Sequence, residues 1–108
     1  DYVSAIPGLE DAAKLDPNAP NISFFLGACY LLTDRNTDGI NTLQHTVALG
    51  DTVFFEEAHL LLAKAHLHRG EFEKARTELK AVIGLGGDFA PEAQVILDKF
   101  SEEVPSAK

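Results

Sequence analysis

The chain has 108 residues, of which 45% are hydrophobic, a size that suits one compact domain and excludes a second domain of ordinary size. Nine Lys and Arg residues against 17 Asp and Glu residues give a formal net charge of -8, which opposes binding to nucleic acid and favours a basic peptide as partner. The single cysteine, Cys29, excludes an internal disulfide and a cysteine-based zinc site, and it is predicted to be a small core residue.

Apolar residues at helical spacing predict about six helices, and no segment shows the alternation of a strand. The first helix is predicted from Ser4 to Leu15, with its start at Ser4 or only at Pro7, and residues 16–20 end it with two prolines. The second helix, from Asn21 to Thr33, is apolar on nearly every side. Such a helix is expected to be buried on several faces.

Residues 33–39 are predicted to form a polar turn before a third, amphipathic helix from Ile40 to Leu49. Gly50 and Asp51 end that helix. Glycines also punctuate the second half of the chain, at Gly70 and in the segment 84–87. Three more helices are therefore predicted, at Phe54–Arg69, Glu73–Ile83 and Pro91–Phe100.

An internal repeat relates the second and third predicted helices to the fourth and fifth, at an offset of 36 residues. The pairs that keep this offset are Leu26/Leu62, Gly27/Ala63, Leu31/Leu67, Gly39/Ala75, Leu43/Leu79, Val47/Ile83 and Leu49/Leu85. Fixed self-similarity of this period is typical of stacked helix pairs, in which no pair can bury its apolar face without a neighbour. The sequence therefore predicts an all-α, superhelical solenoid of antiparallel helix pairs.

The first and sixth helices belong to the same series as half units. Ala5 and Leu9 precede Gly39 and Leu43 by 34 residues. One repeat domain is predicted over residues 1–108. Its parts are the second half of a repeat at 1–18, full repeats at 20–52 and 56–88, and a terminal half-repeat helix at 89–103. The abrupt start without Met suggests a piece of a longer protein, which leaves a cytoplasmic or a periplasmic location open.

The repeat units resemble the tetratricopeptide repeat family, whose unit is a pair of antiparallel helices of about 34 residues. In the best unit the matching residues are Leu62, Ala63, His66, Gly70, Glu71, Phe72, Ala75, Leu79 and Leu85. The first full unit matches at Leu26, Gly27, Tyr30, Gly39, Ile40, Leu43 and Leu49. The small residues let paired helices approach, while the large ones fill the space between pairs.

The chain also departs from the family pattern. His59 and His66 stand where the family usually has aromatic residues, and Asp34 and Asn36 replace the Gly and the aromatic residue of the turn, so the geometry of that turn is left open. The segment from Leu49 to His59 is similar to repeats of bacterial envelope-associated proteins, including anti-sigma-factor-like ones with a separate zinc-binding domain. No zinc-binding residues of that kind are present.

Alternating oxygen-bearing residues in the segment from Asp34 to Gly39 resemble the start of a calcium loop. Asn41 and His45 occupy the places of its apolar residue and its bidentate Glu, so a polar turn between helices is predicted instead. His59 and His66 lie about 10 Å apart along one helix, too far to share a metal. No metal, cofactor or catalytic constellation is predicted, and we expect the chain not to be an enzyme.

The resemblance implies a concave groove lined by the first helix of each pair. The lining residues that it predicts are Asn21, Phe24, Ala28 and Leu31, then Glu57, Leu60, Lys64, Leu67 and His68, and finally Glu92, Val95 and Lys99. Phe25, Leu32, Leu61 and Ile96 share these faces, although Leu32 and Leu61 are equally compatible with packing between helices. Phe24 and Ala28 are unsuited to a clamp for a peptide carboxylate.

The predicted function is a non-catalytic protein-interaction scaffold that binds an apolar peptide or helix in this groove. The alternative is a structural module that packs against its parent protein or a second copy. Self-association is expected to involve the first helix, whose Ile6 and Leu9 would be partly uncovered because that helix lacks its own partner. No apolar run is long enough for direct membrane insertion.

Overall fold

The computed structural model describes residues 1–103, which form six α-helices and contain no strand. Each helix packs mainly against the helices that precede and follow it, and α2 also contacts α4. The prediction of an all-α chain of about six helices is confirmed. The helices are α1 (Tyr2–Leu15), α2 (Pro20–Leu32), α3 (Asn36–Leu49), α4 (Phe55–His68), α5 (Phe72–Leu85) and α6 (Ala90–Glu103).

Helix α1 begins earlier than predicted, because the carboxylate of Asp1 accepts a hydrogen bond from the Ser4 N–H at 2.8 Å and caps the first turn. Pro7 therefore lies inside the helix. Ile6 is only 6% exposed, since it packs on α2, and Leu9 is partly buried beside it. The expectation that Ile6 is uncovered is wrong, because α2 is apolar on several faces and offers one of them to α1.

Glycines bring the backbones of α2 and α3 close together. A Cβ atom added at Gly27 would lie 2.8 Å from the Leu43 Cγ atom, and one added at Gly39 would lie 2.5 Å from the Leu31 Cδ2 atom. Both distances are too short for real contacts. The two glycines are thus required where the helices touch, which is the role that the repeat pattern predicted for small residues.

The turn between α2 and α3 has the same backbone geometry as the turn between α4 and α5. Asp34 has φ 65° and Gly70, 36 residues later, has φ 75°. The N–H of Arg35 donates to the Tyr30 carbonyl at 2.8 Å, and the equivalent bond in the later turn has the same length. Asp tolerates this left-handed conformation because its short polar side chain can bond locally. The replacement of Gly by Asp34 therefore leaves the turn unchanged.

Helix α3 begins at Asn36, four residues before the predicted Ile40, so Gly39 lies inside the helix and not in a turn. The N–H of Gly39 donates to the Arg35 carbonyl at 2.9 Å, which makes residues 36–38 part of the first turn of the helix. Helix α5 extends through Gly84 to Leu85 and ends at Gly86, which has φ 68°. Gly50, 36 residues earlier, ends α3 with φ 79°. Glycine is suited to this left-handed position after a helix.

The core is a series of clusters between successive helices rather than one central cluster. The first, between α1 and α2, contains Ile6, Leu26, Cys29 and Tyr30, which confirms Cys29 as a core residue. The second, among α2, α3 and α4, contains Phe24, Ile40, Leu43, Ala58, Leu62 and Ala65. The third, among α4, α5 and α6, contains Leu60, Ala63, Leu79, Val82, Ala93 and Phe100.

Two histidines of α4 are hydrogen-bonded to carboxylates, and His59 also packs edge to face on Phe55, with ring centroids 4.7 Å apart. His59 Nδ1 lies 2.5 Å from Glu78 Oε1 of α5. His66, which is 3% exposed, has its Nδ1 atom 2.8 Å from Glu71 Oε1. The hydrogen bond from His66 lowers the pKa of Glu71. Both histidines therefore link α4 to α5, His66 at the turn between the helices and His59 near the middle of α5.

The Tyr30 side chain joins α1 to the turn after α2. Its hydroxyl donates to the Glu10 carboxylate at 2.5 Å, and the Arg35 guanidinium lies 4.4 Å from the centre of its ring. Burial and, secondarily, the hydrogen bond to Glu10 and its negative charge raise the pKa of Tyr30 to about 12. The folded state therefore holds the phenol proton more tightly than the unfolded state does.

We expect the free energy of unfolding to fall as the pH rises from 10 to 12. The pKa of Tyr30 is about 12 in the folded state and 10.0 for the unperturbed group, so its contribution is complete below pH 10 and is lost as the pH passes through 12. Urea titrations at closely spaced pH values measure this slope. In Tyr30→Phe the slope should be smaller over the same interval, and an unchanged slope would contradict the assignment.

Candidate functional site

A cleft of about 530 Å³ lies between α2 and α4 and is called the α2–α4 cleft below. Helix α2 and the turn that follows it form one side, and α4 forms the other. The α2 side is lined by Phe24, Phe25, Ala28, Leu31, Leu32, Asp34 and Asn36. The α4 side is lined by Glu57, Leu61, Lys64, Ala65 and His68.

Three aromatic rings build one end of the α2–α4 cleft. The Phe24 and Phe54 rings are stacked, with their centroids 4.4 Å apart and their planes within 3° of each other. The Phe25 ring meets both of them edge to face, with centroid separations of 5.5 and 5.1 Å. Phe24 is 4% exposed, whereas Phe25 is 46% exposed. The cluster thus forms an aromatic end of the cleft in which the Phe25 ring is exposed to solvent.

Leu32 stands at the opposite end of the cleft and is 60% exposed. Between Leu32 and Phe25 the lining is apolar and partly buried, with Leu31 on α2 and Leu61 on α4. Single exposed apolar side chains are common on protein surfaces. Here two of them lie at the ends of one continuous apolar floor and form a larger apolar patch. This surface is stabilised when an apolar group covers it, because apolar area leaves water.

The rim of the cleft carries more negative than positive charge. The Lys64 Nζ atom donates to the Glu92 Oε2 atom of α6 at 2.8 Å, and both side chains are 48% exposed. Within residues 1–101 neither Asp34 nor Glu57 forms an ion pair with a Lys, Arg or His side chain. A cationic group at either end would therefore meet an acid that has no other counter-ion there.

Much of the predicted groove is brought together in this cleft. The predicted residues Phe24, Ala28, Leu31, Glu57, Lys64 and His68 all line it, as do Phe25, Leu32 and Leu61 of the same faces. Leu32 and Leu61 both line the cleft, and Leu61 also packs against the cluster among α2, α3 and α4, so it fits both alternatives. Phe24 contributes to the floor and is too buried to act as the exposed anchor, a position that Phe25 occupies.

Leu60 and Leu67 do not line the α2–α4 cleft. Leu60 is 2% exposed and lies in the cluster shared with α5 and α6, and Leu67 is packed against that cluster. Successive residues of a helix point about 100° apart, so Leu60 turns away from the face that carries Leu61. The predicted role of Leu60 as a binding anchor is wrong.

The other predicted groove residues lie outside the cleft. Asn21 is at the start of α2, where its Oδ1 atom accepts a hydrogen bond from Thr52 Oγ1 at 2.5 Å. Together with residues 50–53 it lines a separate depression. Glu92, Val95 and Lys99 are exposed on α6, and only Glu92 is connected to the cleft, through its ion pair.

Three lining residues were not predicted, namely Asp34, Asn36 and Ala65. Ala65 could have been found, because it continues the spacing of four residues from Glu57 through Leu61. The two turn residues were assigned only to the connection between helices. They face the cleft because α2 ends beside it, and the Asn36 Nδ2 atom donates to Asp34 Oδ1 at 3.4 Å.

The calcium-like segment does not form a loop, since Asn36 and Asp38 belong to α3 and the Asp38 carboxylate accepts a hydrogen bond from the Arg35 Nε–H at 3.0 Å. Over the described part of the chain, no three His, Cys, Asp or Glu side chains form a group that could hold a metal ion. None of the helices in residues 1–103 combines the length and the apolar character needed to cross a membrane.

No protein-family model matches this chain, and no curated protein matches it either.

Proposed function

We propose that the chain is a non-catalytic protein-interaction module that holds an apolar peptide or helix in the α2–α4 cleft. The observation that carries the proposal is the pair of exposed side chains, Phe25 and Leu32, at the two ends of one apolar floor. Amphipathic helices are recognised in this way, by pockets for a few apolar anchors along a groove. The aromatic cluster under Phe25 limits the entropy lost when a partner binds.

The size of the cleft supports a short helical partner. The cleft volume of about 530 Å³ accommodates several apolar side chains. On α4 the lining extends from Glu57 to His68, a rise of about 16 Å, which is the length of about three helical turns. An amphipathic helix of that length presents its apolar residues at positions i, i+4 and i+7 on one face. Side chains with this spacing can pack along the apolar floor of the cleft.

We also propose that the helix pairs form a tetratricopeptide-like superhelical solenoid. In support, α5 begins and ends 36 residues after α3. The left-handed residues after the helices keep the same offset, since Asp34 after α2 corresponds to Gly70 after α4, and Gly50 after α3 corresponds to Gly86 after α5. Packing between successive helices is consistent with stacked pairs. In such a scaffold the first helix of each pair lines the binding surface, which fits the positions of α2 and α4.

A structural role is the second candidate, because α1 exposes apolar side chains away from the cleft. Tyr2 is 56% exposed, Val3 is 65% exposed and Leu15 is 89% exposed. Such a surface favours packing against another part of the protein or a second copy. Sedimentation at rising concentration separates the two roles, since a module that only self-assembles will associate without a peptide.

We expect Phe25→Ala to weaken peptide binding by about 1 to 2 kcal/mol, because truncation of an exposed aromatic anchor removes its buried contact area in the complex. The probes are twelve-residue peptides selected from a random display library on the immobilised chain, and their Kd values are measured by fluorescence anisotropy. Circular dichroism of the variant verifies that the helices persist.

Leu15→Ala is the matched control, since Leu15 is an exposed apolar residue outside the cleft. It should leave the Kd values unchanged. If the library yields no binder, or if the binders lose affinity in Leu15→Ala and not in Phe25→Ala, the cleft is not the binding site.

A further inference from the structure

We infer that the partner of the α2–α4 cleft is a basic amphipathic helix, in which Lys or Arg residues flank an apolar stripe at both ends. This inference rests on the proposed function and specifies its partner. It follows from the positions of Asp34 and Glu57, the two rim acids that form no ion pair in the described part of the chain, relative to the apolar floor.

Helices α2 and α4 run in the same direction along the cleft. Phe24, near the start of α2, stacks on Phe54, which immediately precedes α4. At the other end the Arg69 Nη1 atom, just after α4, donates to the Thr37 Oγ1 atom at 3.3 Å, close to the turn after α2. The two starts are therefore adjacent, and so are the two ends.

This direction places the unpaired acids at opposite ends of the floor. Glu57 lies in the first turn of α4, at the end formed by the aromatic cluster. Asp34 lies in the turn after α2, at the end that carries His68. The rise along α4 from Glu57 to His68, at the end where Asp34 lies, is about 16 Å, which corresponds to roughly eleven residues of helix. A partner helix with cations about that far apart meets one acid at each end.

Within residues 1–101, the Lys and Arg side chains near the cleft pair with other carboxylates and not with these two acids. The Lys64 ammonium group is 2.8 Å from Glu92, the Arg35 guanidinium group is 2.8 Å from Asp38, and the Arg69 guanidinium group is 3.5 Å from Glu71. The formal net charge of -8 adds a long-range field of the same sign. The rim carboxylates and the net negative charge both repel acidic partners and attract basic ones.

The test uses the selected peptides and protein variants that each remove one negative charge. The two cleft variants are Asp34→Asn and Glu57→Gln, and the matched control is Asp11→Asn, which removes an exposed charge of α1. Asn tolerates a positive φ as Asp does, so Asp34→Asn keeps the turn. In parallel, the Lys and Arg residues of each peptide are replaced by Gln.

We expect the selected peptides to carry Lys or Arg at both ends of an apolar stripe. Each cleft variant should raise their Kd about threefold and the double variant about tenfold at low salt, whereas Asp11→Asn should leave the Kd within about 1.5-fold. The differences should shrink at high salt, because exposed charges are screened. The Gln-substituted peptides should bind more weakly and lose their response to the cleft variants.

The outcomes separate this inference from the proposed function. Peptides that depend on Phe25 but lack basic residues would overturn the inference and leave the proposed function intact. The inference is also overturned, and the proposed function left intact, if the Asp34→Asn and Glu57→Gln variants bind the peptides as tightly as the Asp11→Asn variant does. A library that yields no binder would overturn both.

Discussion

Replacement of Leu79 by Ala is expected to lower the free energy of unfolding by about 2 to 5 kcal/mol. Leu79 is 0% exposed on α5 and lies in the cluster that joins α4, α5 and α6. Ala would leave a cavity, because the helices around this position cannot move inward far enough to fill it without disturbing their other contacts. Urea denaturation followed by circular dichroism at 222 nm measures the loss.

Two variants accompany this measurement. Leu43, which is 36 residues earlier on α3, is also 0% exposed, and Leu43→Ala should cost a similar amount. Leu85→Ala is the control on α5, because Leu85 is 49% exposed and its truncation should cost less than about 1 kcal/mol. An effect of Leu79→Ala no larger than that of Leu85→Ala would show that Leu79 is not a core residue.

Replacement of Gly27 by Ala is expected to destabilise the chain by about 1 to 3 kcal/mol, although Ala is the better helix former. The new Cβ atom would lie 2.8 Å from Leu43 Cγ, 2.9 Å from Leu43 Cδ2 and 3.3 Å from the Leu43 backbone N. Leu43 is fully buried, so its side chain has no free space to move into. Helices α2 and α3 must then separate or tilt.

Gly84→Ala is the matched control, because Gly84 is also inside a helix but a Cβ atom there would have no neighbour within 4 Å. It should raise the free energy of unfolding by about 0.5 to 1 kcal/mol through helix propensity alone. The two substitutions are chemically the same, so opposite signs isolate the contact between α2 and α3. If both variants are stabilised, that contact is looser than the distances indicate.

The helices could be predicted because their periodicity and their glycines are local signals. The start of α3 could not, since Asn36, Thr37 and Asp38 are polar and resemble a turn. In the structure they form the first turn of α3, in which the Gly39 N–H donates to the Arg35 carbonyl. Likewise, Asp34 has a positive φ because of the turn it occupies, 36 residues before Gly70, and its residue type alone does not predict that conformation.

The face of α2 that lines the cleft could be predicted, but the face of α4 only in part. Leu60, Leu61 and Leu62 follow one another, and all three are apolar. One of them faces α5 and α6, the next lines the cleft, and the third belongs to the cluster with α2 and α3. Periodicity cannot assign these directions when a helix is apolar all round, because every direction then fits the pattern.

Helix α3 is a spacer between the two walls of the cleft. Helices α2 and α4 each pack far more extensively on α3 than on each other. The width of the opening therefore depends on the buried side chains of α3, such as Ile40 and Leu43, which do not line the cleft. Under the proposed function, partner selectivity would change through substitutions behind the cleft, and a comparison of cleft residues alone would not detect the change.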